Sequence, residues 1–63
     1  MRLAEYMARM ELTDKEVAAA IGCERASVTR YRNGNMRPKL EKVVKITEFT
    51  GGQVTADDWI THQ

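Results

Sequence analysis

Three observations predict an all-α fold, a compact bundle of about five short helices. Apolar residues recur at helical spacing in separate stretches, Leu3–Tyr6–Met7–Met10, Val17–Ile21 and Leu40–Val43–Val44–Thr47. Helix start and stop signals fall between those stretches: Thr13 and Thr55 as caps, and glycines at Gly22, Gly34 and Gly51–Gly52. Nothing in the chain alternates with period two, so no strand is expected.

Helix 1 is expected over about residues 2–11. Its stripe of Leu3, Tyr6, Met7 and Met10 faces the core, and Glu5, Arg9 and Glu11 face water. Leu12 tucks under as the chain turns into Thr13. Helix 2 runs from about Asp14 to Ile21. Thr13-x-x-Glu16 is a capping box, in which the hydroxyl accepts from the third helical amide and the carboxylate reaches back. Val17 and Ile21 share a face. Ala18 is small enough to let a second helix approach, and Gly22 ends the helix in the left-handed region at low cost.

Helix 3 runs from about Glu24 to Arg32, with Val28 and Tyr31 turned inward and Gly34 closing it after Asn33. Cys23, in the turn, reads as a small semi-buried residue; Glu24 beside it argues against a lowered thiol pKa and a redox role. Two helices joined across so short a turn form a helix-turn-helix. The segment Asn33–Arg37, NGNMR, is a loop. Pro38 opens helix 4 as its first residue, and that helix runs to about Thr50, with Ile46 and Phe49 widening its apolar stripe. Gly51–Gly52 ends it. Thr55-x-x-Asp58 is a weaker second capping box for a last short helix bearing Trp59 and Ile60. That pair either closes the core or forms a dimer contact.

Composition limits what such a chain does. Sixty-three residues, 43% of them hydrophobic, make one small globular domain spanning 1–63. A chain of this size buries only about 60% of its unfolded surface, so its helices must pack efficiently or the chain must associate. One cysteine excludes an internal disulfide, and one cysteine with one histidine cannot supply a structural zinc set. No signal-like segment or run of about 20 apolar residues is present, so a cytoplasmic location without membrane contact is expected. Enzymatic chemistry is not expected: the only histidine is His62 beside the C-terminus, Cys23 has no histidine nearby, and no glycine loop cradles a phosphate. No cofactor, metal or small-molecule ligand is expected either.

The net charge of +1 hides an asymmetry. Residues 25–45 carry Arg25, Arg30, Arg32, Arg37, Lys39, Lys42 and Lys45 against Glu41 alone, a net +6. Residues 1–24 sum to −2 and residues 46–63 to −3. A localised basic patch that starts at helix 3 is the electrostatic footprint of phosphate contact. With Val28 and Tyr31 facing the core, Arg25, Ala26, Thr29 and Arg30 fall on the opposite side of helix 3. These four are the candidates for base contact in a major groove. Arg25 and Arg30 suit bidentate donation to guanine O6 and N7, the alternative for Arg30 being a contact to the backbone only, and Ala26 and Thr29 offer methyl groups to a thymine methyl. Ser27 and Arg32, on the flanks, suit phosphates. Lys39 reaches the DNA backbone from the start of helix 4, while Lys42 and Lys45 are read as solvated.

The stretch Thr13–Gly34 resembles the lambda-type helix-turn-helix family, the phage Cro and repressor proteins and their bacterial relatives. Ala18 matches the small residue in the middle of the first helix, Gly22 the turn, and Val17, Ile21, Val28 and Tyr31 the apolar positions. Asn33–Gly34 matches the Asn-Gly that ends many recognition helices. The segment Thr50–Thr55, TGGQVT, is similar to the T-G-G-x-V-T of small prophage Cro-like and YdaS-like regulators. The resemblance implies a lambda repressor-like fold and a transcriptional regulator that represses by occupying a double-stranded DNA operator. Lambda Cro adds a strand for dimerisation; an all-α version is expected here. The resemblance also implies phosphate contacts from Asn33, Asn35 and Arg37. At the residue after the first cap, where family members often touch a phosphate, this chain has Asp14, whose charge would repel DNA. Lys15 is expected to take that contact. A homodimer on DNA is implied, with the end of helix 4, Val54 and the Trp59–Ile60 pair as its interface. The alternative is an antitoxin-like or other protein-interaction module that keeps the fold and uses the acidic ends and Trp59.

Overall fold

A computed structural model describes residues 1–59. Its helices are α1 (Leu3–Met10), α2 (Asp14–Ile21), α3 (Arg25–Asn33) and α4 (Leu40–Phe49), followed by a single 3₁₀ turn over Ala56–Trp59. No strand occurs among the described residues. The expected fifth helix is therefore only that turn as far as Trp59, and Ile60 lies outside the described residues.

The helix ends follow local chemistry. The Thr13 hydroxyl accepts from the Glu16 amide at 3.2 Å, and the Glu16 carboxylate accepts from the Thr13 amide at 3.0 Å, completing the capping box. Gly22 ends α2 at φ 75°, where its amide and that of Cys23 both bond the Ala18 carbonyl. The second capping box forms only in half. Asp58 accepts from the Thr55 amide at 2.9 Å, but the Thr55 hydroxyl donates to Asp58 instead of accepting from a helical amide. The Met1 ammonium pairs with the same carboxylate at 3.0 Å and holds the two ends of the described chain together.

The core gathers Leu3, Tyr6 and Met7 from α1, Val17, Ala18 and Ile21 from α2, Val28 and Tyr31 from α3, Ile46 from α4, and Val54 beyond it. Leu12, Cys23, Met36, Phe49 and Trp59 pack against it, half-buried. Tyr6 meets Phe49 edge-on at 6.3 Å between ring centroids, and Tyr31 meets Trp59 in the same way at 6.2 Å. Thr50 is buried: its hydroxyl donates to the Ile46 carbonyl at 2.9 Å and accepts from the Val54 amide at 3.0 Å. That hydroxyl satisfies the backbone that folds Val54 back under α4.

Several expectations need correction. Met10 is 56% exposed, because α1 ends there and Glu11 turns the chain at φ 54°, so Leu12 takes the core place. Pro38 does not open α4. Lys39 stays extended (ψ 159°) as the N-cap and the helix begins at Leu40. Pro38 and Val43, both buried, instead hold the two positions of a hydrophobic staple. The core face of α4 is Val43, Ile46 and Thr50, which leaves Leu40 76% and Val44 49% exposed. In this rotation the Lys42 ammonium lies 2.9 Å from the Gly22 carbonyl and 3.5 Å from that of Ile21. It is thus a C-terminal cap for α2, not a solvated lysine. Val54 is fully buried and cannot serve as an interface residue in this fold.

Candidate nucleic-acid interface

The tight turn at Gly22 and Cys23 sets α3 against α2. Their seam is made by Val17, Ala18, Ile21 and Val28, all buried. Ala18 is 5% exposed, so no larger side chain fits between the helices without displacement. Burial raises the pKa of the Cys23 thiol above its ordinary value, which fits the half-buried packing residue expected there.

With Val28 and Tyr31 in the core, α3 turns Arg25, Ala26 and Arg30 outward, all exposed. Thr29 lies at the edge of that surface, half-buried, and Ser27 is half-buried on the other flank. Asn33, the last residue of α3, is exposed. Asn35 and Arg37 are exposed on the loop that follows, as is Lys39 at its end. Lys15 is exposed in the first turn of α2. The residues assigned to bases thus form one surface on α3, and most of those assigned to phosphates lie exposed beside it.

Thr29, Arg32 and Asn33 are already engaged within the chain. The Asp14 carboxylate accepts from Arg32 Nε at 2.7 Å and Arg32 Nη2 at 3.2 Å, and from the Thr29 hydroxyl at 2.6 Å. Arg32 Nη1 also donates to the Asn33 amide oxygen at 3.2 Å. The hydrogen bond from Arg32, then that from Thr29, holds the Asp14 carboxyl below its ordinary range, and Asp14 raises the Arg32 guanidinium in turn. Asp14 also suits the positive end of α2. The anion expected to repel DNA is therefore paired with Arg32 at the protein surface. Beside this clamp a groove of about 750 Å³ opens between α1, the start of α2 and α3, lined among others by Lys15, Arg25, Thr29 and Arg32.

Sequence reading missed the Asp14 clamp because its partners lie 15 and 18 residues away, beyond any local spacing rule. Lys42 left a fainter signal: α2 has no basic residue in its last turn, so its carbonyls call for a cation from elsewhere. Among the described residues, no cluster of three or more His, Cys, Asp or Glu is placed to hold a metal. No helix among them is long and apolar enough to cross a membrane.

A small recognition helix set across a glycine turn on an all-helical core defines a helix-turn-helix protein. The Helix-turn-helix family model matches residues 3–56, and the chain belongs to that family, the lambda type of the Cro and repressor proteins. Its members are regulators that bind double-stranded DNA. No curated protein and no solved structure matches the chain.

Proposed function

We propose that this chain is a sequence-specific transcriptional repressor, a phage or prophage Cro-like regulator that acts in the bacterial cytoplasm by occupying an operator. The observation that carries this reading is the exposed outward surface of α3, where Arg25 and Arg30 flank Ala26 within a stretch of net charge +6. Arg25 and Arg30 read guanines, and Ala26 and Thr29 meet thymine methyl groups. Lys15, Ser27, Arg32, Asn33, Asn35, Arg37 and Lys39 hold the phosphates on either side. Residues 1–63 act as one domain, without cofactor or catalysis.

One recognition helix reads too few base pairs for affinities of about 10⁻⁸–10⁻¹¹ M. Two copies therefore bind an inverted repeat with half-sites about 34–36 Å apart. Of the two features behind the protein-interaction alternative, the acidic ends and Trp59, the tryptophan packs half-buried, edge-on against Tyr31 and against the core, which also counts against it as a dimer contact. Selection of duplexes from a random pool, followed by a salt titration, tests the repressor reading. The expected result is one preferred inverted repeat and a log–log slope of about −0.9 for each phosphate neutralised. A flat salt response, or no binding to any duplex at low salt, overturns it.

A further inference from the structure

We propose that Asp14 is a positioning residue for recognition. It accepts the hydrogen bond of the Thr29 hydroxyl, so that Thr29 meets a base through its methyl group, and it restrains Arg32, so that non-specific affinity is given up for discrimination. This inference rests on the DNA-binding reading above.

The geometry is specific. The 2.6 Å separation of Thr29 Oγ1 from Asp14 Oδ2 lies in the charge-assisted range. Thr29 Oγ1 is also 3.1 Å from the Arg25 carbonyl, but a hydroxyl has a single proton to donate, and it donates to the nearer, charged acceptor. With that proton committed and the β-branched side chain locked at χ1, Thr29 has no donor left for a base and presents its methyl group at a fixed angle. A donor at this position would be promiscuous, since a hydroxyl suits several base edges, whereas a fixed methyl favours thymine.

Arg32 is held in the same way. Its Nε–H and one N–H on each terminal nitrogen are engaged by Asp14 and Asn33, which leaves the second N–H on each terminal nitrogen for a phosphate. Non-specific binding is almost wholly electrostatic. An anion beside Arg32 therefore weakens binding to every sequence alike, while the fixed Thr29 methyl strengthens binding to one.

Asp14→Asn keeps the shape of the clamp and removes its charge. Its binding to random duplex should rise several-fold at low salt, with the salt slope steeper by about 0.9. Preference at one base position of the selected site should fall. Thr29→Val keeps the methyl without the hydroxyl and should retain the thymine preference. Thr29→Ser keeps the hydroxyl without the methyl and should lose it. Both variants leave Asp14 and its charge in place, so they test the methyl reading without removing the anion. A Thr29→Ser protein that keeps the preference, while Thr29→Val loses it, shows that the base reads the hydroxyl and overturns the inference. Unchanged random binding and salt slope in Asp14→Asn overturn it as well. A wild-type chain that binds no duplex removes the DNA reading, and this inference with it. Specific binding by wild type with none of the expected differences among the variants removes the inference alone.

Discussion

On the side of α3 that meets α2, polar groups are bonded to one another; on its outward side, Ala26 and Arg30 lie exposed to solvent. The same contrast divides the basic stretch 25–45. Arg32 is paired with Asp14, and Lys42 caps α2, whereas Arg25, Arg30 and Lys39 are exposed. Charge counted along the sequence therefore overstates the charge offered to a phosphate. Part of it is bonded within the fold, between α3 and α2 and between α4 and α2, and the remainder forms the field that a nucleic acid meets.

The largest effect should come from breaking the inner side. Ala18→Leu forces a larger side chain into the α2–α3 seam, where Ala18 is 5% exposed. It should cost about 1–3 kcal/mol or more in a thermal or urea melt. A melt identical to wild type would mean that the two helices do not pack as described.

The outward side is broken differently. Arg25→Ala should cost about 1–3 kcal/mol on the preferred site and relax one base position, without moving the melt. Lys39→Ala should weaken all duplexes alike and lower the salt slope by about one phosphate. Equal loss on cognate and random DNA for Arg25→Ala would reassign Arg25 to the backbone.

Acid separates the inner contacts from the outer ones. Asp14 and Asp58 both have pKa values below the ordinary aspartate value, the first chiefly through Arg32 and the second chiefly through the Thr55 amide. A carboxylate depressed in the folded state adds stability that is complete above its unfolded pKa of about 3.9 and is lost as pH falls through the folded value. The melting temperature should therefore fall as pH drops below about 5 and keep falling below the unfolded pKa of about 3.9. Asp14→Asn should show a shallower fall over that range. A parallel fall in both proteins would mean that Asp14 is not paired in solution.

The elements differ in how much of this the sequence discloses, for physical reasons. The bounds of α2 were legible because its capping box and glycine stop are bonds between residues at most four apart. Of the seam residues, Val17 and Ile21 were legible from their spacing of four and Val28 from its spacing of three to Tyr31, and Ala18 from its small size one turn before Gly22. The buried face of α4 was not. The stripe Leu40–Val43–Val44–Thr47 and the face Val43–Ile46–Thr50 are equally well spaced for a helix and share Val43. What selects between them is tertiary packing, which buries Ile46 fully and brings Lys42 to the Gly22 carbonyl, 20 residues back in the chain. The Asp14–Arg32 pair is likewise non-local, and Thr50, visible as part of TGGQVT, gave no sign that its hydroxyl serves the Val54 amide.

The smallest effect distinguishes the two lysines one turn apart on α4. Lys42 Nζ sits against the last carbonyls of α2, a helix with no basic residue of its own in that turn, while Lys45 is exposed. A cation at a helix C-terminus is worth about 0.3–1 kcal/mol. In a domain of this size 1 kcal/mol moves the melting temperature by about 4–8 °C, so Lys42→Met should lower it by a few degrees. Lys45→Met, which removes the same charge from a solvated site, should stay within about 0.5 kcal/mol of wild type. The removed charge of Lys42 is already matched by carbonyl dipoles, so Lys42→Met should leave the salt slope of DNA binding where it was, in contrast to Lys39→Ala. If Lys42→Met instead flattens the slope and spares the melt, the lysine leaves Gly22 on binding and belongs with the outward-facing cations.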